Sequence, residues 1–223
     1  MKLLSSSIAR KISMALSAMF LIIFLIMHLS INMISLFSKE LFNTVSHFMG
    51  TNPVIQFAMQ PTLIFGVVFH FVMGFILEYR NYKARSTSYV KFKGGKSSSL
   101  ASRSMIYSGL VILAFLVLHL IDFWVPEMNT KYILGDMSGM INGEYRYFEE
   151  LQHKFLNPYR VAAYVISFLL LSLHLWHGFQ SSFQSMGARN SSYTPYVVAF
   201  GNIYSVVIPL GFIIVALFHF FNH

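Results

Sequence analysis

Five long apolar blocks govern what this chain can fold into. A bilayer core takes about 20 mostly apolar residues in helix. Backbone polar groups in lipid must be paired within the segment itself, so each block is forced into a helix. The spacing predicts segment I over 12–37, II over 54–79, III over 104–125, IV over 158–184 and V over 196–221. Asn52-Pro53 and Asn157-Pro158 are start signals for II and IV, and Pro126 is a stop for III. Pro61 and Pro209 fall inside II and V and should kink them. The class is all-α, and the expectation is a single membrane domain spanning 1–223 with no separate soluble catalytic domain.

Composition agrees with that class. Charged residues make up only 11% of the chain, against about 25% in ordinary soluble domains. The net charge of +8 does not indicate a nucleic-acid partner, because the cations flank the apolar blocks, where they set orientation. Arg80, Lys83, Arg85, Lys91, Lys93, Lys96 and Arg103 lie between II and III. Lys2, Arg10 and Lys11 precede I, and Arg189 lies between IV and V. The opposite side holds Lys39, Lys131, Arg146, Lys154 and Arg160, diluted by five acidic residues. Eleven against five puts the N-terminus in the cytoplasm and the C-terminus outside. Segment I is too long for a signal-peptide core and is read as a retained helix. The Gly-Gly-Lys-Ser-Ser-Ser run at 94–99 lacks the full phosphate-loop pattern and a preceding strand, and is a polar loop. Cysteine is absent, which excludes disulfides, cysteine-held iron–sulfur clusters and covalent haem attachment.

Four histidines, His28, His70, His119 and His174, stand one in each of segments I to IV. Ionisable side chains at bilayer depth are rare and mark function. At 1.5 Å per residue, His28 and His119 lie about 9–14 Å from the outer helix ends. His70 and His174 lie about 12–15 Å from the inner ends. The four thus form an outer pair and an inner pair, each drawn from two helices. That is the pattern of two haems, each held by two imidazoles. A single membrane histidine is explained by a hydrogen bond to a neighbouring helix; four at matched depths are not. Zinc fits poorly, since each depth offers two ligands where a structural zinc site takes four.

Several neighbours qualify the site. Gly66 and Gly74 flank His70 by four residues on the same face, and Gly178 stands four after His174. They either clear room for a flat macrocycle or let helices pack closely. His177, three residues after His174, competes with it for ligation or reaches a propionate. Arg10, Lys11, Ser13 and Ser17 begin segment I and are candidates to meet propionates; the two cations are equally plain membrane anchors. Asp122 follows His119 by one turn. It either exchanges protons with a quinone near the outer pair or is a helix-end residue reached by water. His219 is read as an interface or supporting residue, and His47, His153 and His223 as loop or terminal residues.

Three stretches carry a family resemblance. They are R-K-I-S-M-A-L-S-A-M-F-L-I-I-F-L-I-M-H-L ending just past His28, S-H-F-M-G-T-N-P at 46–53, and H-L-W-H-G-F-Q-S-S-F-Q-S-M-G at 174–187. With the four histidines, the chain resembles the cytochrome b membrane anchor of succinate:quinone oxidoreductases, in the single-subunit, five-helix, di-haem form of bacteria. The resemblance implies two non-covalent b haems, with His70 and His174 on the proximal one and His28 and His119 on the distal one. It favours His174 over His177 by the spacing to Gly178. It implies a flavoprotein (FAD) partner that oxidises succinate or reduces fumarate, an iron–sulfur partner, and quinone, menaquinone being expected for this type. Location would be the bacterial cytoplasmic (inner) membrane, surrounded by lipid, and a dimer of complexes is left open. Where some relatives carry a basic residue near a proximal propionate, Ser185 stands here. The chain would be the quinone-reactive part of an enzyme and not catalytic alone. Rivals are the cytochrome b of a hydrogenase or formate dehydrogenase, a haem-free transporter or proton channel, and a purely structural anchor.

Overall fold

The computed structural model describes residues 6–84, 100–187 and 190–222. Lys2, Arg85, Lys91, Lys93, Lys96, Arg189, the 94–99 run and His223 fall outside the described residues, as does the side chain of Arg103. Five helical stretches are long and apolar enough to cross a membrane.

The first is α1, Ser7–Ile34. The second is a π-helical turn, Ile55–Met59, running into α3, Gln60–Ala84. The third begins as α4, Leu100–His119, and continues through a π-turn at Leu120–Trp124, α5 at Val125–Met128 and another π-turn at Asn129–Ile133. The last two are α7, Pro158–Ser185, and α8, Thr194–Phe221. Asn157 caps α7 as its start signal requires, its side-chain oxygen accepting from the Tyr159 and Arg160 amides.

Pro126 does not stop the third span. The π-turn pairs the Val125 amide with Leu120 five residues back. Its wider ring of carbonyls accommodates a residue that lacks an N–H. Segment I is also displaced, starting at Ser7 and ending at Ile34.

Two short helices were not legible as spans and cap one end of the bundle: α2, Lys39–Thr51, and α6, Tyr147–Phe155. His47 and His153 therefore sit on helices, not in loops. A two-stranded hairpin, β1 (Met140–Ile141) and β2 (Glu144–Tyr145), joins them. Asn43 of α2 ties the cap together. It donates to the Tyr145 carbonyl at 2.8 Å and accepts from the Phe148 amide at 2.8 Å. Beneath it is a buried charge cluster. Lys131 pairs with Glu127 at 2.5 Å and donates to the Gly50 carbonyl, while Arg146 bridges Glu127 and Glu150.

Helix neighbours set the site. α1 packs on α3, α7 and α8, α4 packs on α7, and α3 touches α4 only lightly. Around the resulting square, α1 lies diagonal to α4 and α3 to α7, with α8 outside against α7 and α1. Polar side chains lock the helices where the hydrophobic effect cannot separate lipid from protein. Tyr204 donates to the Ile22 carbonyl at 2.7 Å, Ser172 to the Ser205 carbonyl at 2.6 Å, and the Trp176 indole to Asn202 at 2.9 Å.

Candidate functional site: two imidazole pairs

His70 on α3 and His174 on α7 face each other across one diagonal. Their ring centroids are 6.4 Å apart and the rings are inclined at 69°. Each is held from a third helix. Ser17 Oγ of α1 lies 3.2 Å from His70 Nδ1, and Ser108 Oγ of α4 lies 3.2 Å from His174 Nδ1. Ser17 thus touches an imidazole at this site. Nothing local in the sequence marks Ser108, whose ring partner lies 66 residues away.

The glycines divide. A Cβ on Gly66 would come within 2.8 Å of the Phe20 ring, so this glycine lets α3 close on α1. Gly74 and Gly178 have looser neighbours, Met14 and Met105 methyls at 3.8 and 3.4 Å. Gly109 of α4, unnoticed in the sequence, faces the His174 ring, with 3.6 Å between an added Cβ and Cε1. His177 is half-buried one turn beyond His174. Arg10 is buried two turns before Ser17 on α1.

His28 on α1 and His119 on α4 meet across the other diagonal, toward the capped end. Their centroids are 5.7 Å apart at 84°. This pair sits among aromatic rings: Phe24 stacks on His28 at 5.3 Å, and Phe212 approaches it at 5.6 Å. Phe115, Phe123 and Tyr164 surround His119 at 5.3–6.3 Å. The buried His119 Nδ1 has no hydrogen-bond partner among the described residues.

Asp122 is 2% exposed, so it is not a helix-end residue reached by water. Tyr164 donates to its Oδ2 at 2.9 Å, and Arg160 Nε stands 3.2 Å from the same oxygen. Oδ1 is buried without a hydrogen bond among the described residues. Tyr164 joins this carboxylate to the His28–His119 pair, touching the His119 ring and Asp122 at once. Nothing local in the sequence marks Arg160 and Tyr164 for this role; the packing of α7 beside α4 brings them to Asp122.

His219 is fully buried and bonded through Nε2 to Ser35 Oγ at 2.9 Å, clasping α8 to α1. His47 stacks on Tyr145 within the cap at 4.4 Å. Among the described residues no three of His, Cys, Asp and Glu gather as a metal-binding group.

The centroid separations of the two pairs can be compared with what linear ligation of one transition-metal ion requires. An imidazole nitrogen binds such an ion at about 2.0 Å, with its ring centroid about 1 Å further back, so two coaxial rings place their centroids about 6 Å apart. The observed separations of 5.7 and 6.4 Å fall on either side of that value. No protein-family model matches this chain, and searches of curated proteins and of solved structures return no match.

Proposed function

We propose that this chain is the membrane anchor of a quinone-linked dehydrogenase, of the succinate:quinone oxidoreductase type, holding two b haems one above the other. The observation that carries the reading is the pair of imidazole pairs at two levels, each from diagonally opposed helices and each at a spacing suited to one iron. When bound, the haems supply reversible one-electron chemistry at iron.

The chain's own residues do the rest. His70 and His174 hold the inner group, and His28 and His119 the outer one. Phe24, Phe115, Phe123 and Phe212 keep water from the outer pair. Tyr164 and Asp122 place a hydroxyl and a carboxylate beside it, suited to exchange protons with a quinone. The excess of cations around the II–III loop and the N-terminus supports a cytoplasmic N-terminal end, and the family resemblance supports a bacterial inner membrane. There the basic loops offer a docking face to iron–sulfur and flavoprotein partners.

The test is a reduced-minus-oxidised spectrum with haem quantification on the full chain purified from its membrane. Two low-spin b haems per chain are expected, and His70→Ala should remove one and leave the other. A colourless protein overturns the reading. Co-purification of a flavoprotein that oxidises succinate separates it from an anchor of hydrogenase or formate dehydrogenase.

A further inference from the structure

A hydroxyl has one proton to give and lone pairs to receive with. Ser17 Oγ is 2.8 Å from the Met14 carbonyl oxygen and 3.2 Å from His70 Nδ1. A carbonyl can only accept, so it takes the hydroxyl proton. The ring then meets a lone pair and must itself bring the proton, as Nδ1–H. A neutral imidazole protonated at Nδ1 carries its free lone pair at Nε2.

The same relay occurs again on a different pair of helices. Ser108 Oγ is 3.0 Å from the Met105 carbonyl oxygen and 3.2 Å from His174 Nδ1. Both serines are buried, at 9% and 3% exposure. Each rests on the carbonyl three residues before it, so the helix backbone itself orients the hydroxyl.

A third serine shows what the other arrangement does. Ser35 Oγ rests on the Asn32 carbonyl at 2.7 Å but meets His219 at Nε2, 2.9 Å away. That ring is wholly enclosed and serves as a clasp. The outer pair has no such relay at His119, whose Nδ1 is without a partner among the described residues.

We infer that Ser17 and Ser108 are positioning residues that fix the tautomer of His70 and His174, turning both Nε2 lone pairs to one shared metal centre and making the inner pair the more electron-donating of the two. This rests on the haem reading above. A hydrogen bond from the distant ring nitrogen raises ligand basicity and favours the oxidised metal.

The experiment uses the full chain in its native complex. Ser17→Ala, Ser108→Ala, the double variant and the two Ser→Thr variants are compared with wild type. Redox titration resolves the two midpoint potentials, paramagnetic resonance reads the two low-spin signals, and haem content is counted per chain. The Ala variants should move the inner centre's potential upward, change its low-spin signal and weaken its retention by about tenfold. The outer centre should stay where it was, which also reports an intact fold. Threonine keeps the hydroxyl and should restore the wild-type values.

Unchanged potential and signal in both single Ala variants overturn the inference while leaving the haem reading intact. So does an equal shift of both centres. A wild-type chain without haem overturns the haem reading itself, and this inference with it.

Discussion

Asp122 shows how one residue's meaning depends on its neighbours. Its carboxylate is buried beside a half-exposed guanidinium and a phenol. Removing one partner of a buried ion pair leaves a charge out of water, at a cost of about 3–5 kcal/mol. Removing a neutral donor costs about 1–3 kcal/mol. Arg160→Ala is therefore expected to lower thermal stability in detergent more than Tyr164→Phe. Equal losses, or none, would show that Asp122 does not depend on Arg160. The proposed proton-exchange role makes a separate demand: under the haem and quinone proposal, Asp122→Asn should slow quinone-linked turnover while both haem signals persist.

At the level of helices, close approach is decided by a few glycines. An added Cβ on Gly201 would lie 2.6 Å from Phe179 Cδ1, and that ring is buried and stacked on Phe183. Gly211 has a comparable distance, 2.7 Å, but to the terminal methyls of Leu29, a branched aliphatic chain that yields more readily than a stacked ring. Gly201→Ala should thus destabilise by about 1–3 kcal/mol through overpacking, and Gly211→Ala by clearly less, both read by thermal unfolding of the purified protein. The π-turn at 120–124 belongs to the same scale. It lets the third span run on past Pro126 to Ile133, carrying Glu127 and Lys131 into the cap cluster. A proline-based stop rule misses this because the rule assumes ordinary α pairing.

Across the whole molecule, the cap is held by charge and the bundle by apolar packing and interhelical hydrogen bonds. Glu127 pairs with both Lys131 and Arg146, and Glu150 supplies the second carboxylate. Among the described residues, Glu127→Gln leaves Lys131 with only the Gly50 carbonyl and Arg146 with only Glu150, so it should expose the 140–145 hairpin to protease, with a loss of about 3–5 kcal/mol. Burial, followed by the nearby Glu127 charge, pushes the Tyr147 hydroxyl up to about 12. Its folded value therefore exceeds the ordinary tyrosine value of about 10. The cap keeps this contribution below pH 10 and loses it as pH climbs from about 10 to about 12. Tyrosinate absorbance should show a late-titrating group, and hairpin proteolysis should rise over the same window.

Five spans and two depths of histidine were readable directly, because bilayer thickness sets the length of an apolar block and the helix rise sets depth along it. Three other features appeared only with the tertiary structure: which helices stand diagonal, which serines grip the His70 and His174 rings, and that Asp122 is buried. Ser17 meets His70 across 53 residues and Ser108 meets His174 across 66. Contacts so distant are chosen by how whole helices pack. The cap was hidden for a related reason: α2 and α6 are short and partly polar, and only long-range bonds such as those of Asn43 draw them over the bundle end. Local sequence sets what each helix can offer; packing sets what each offer meets.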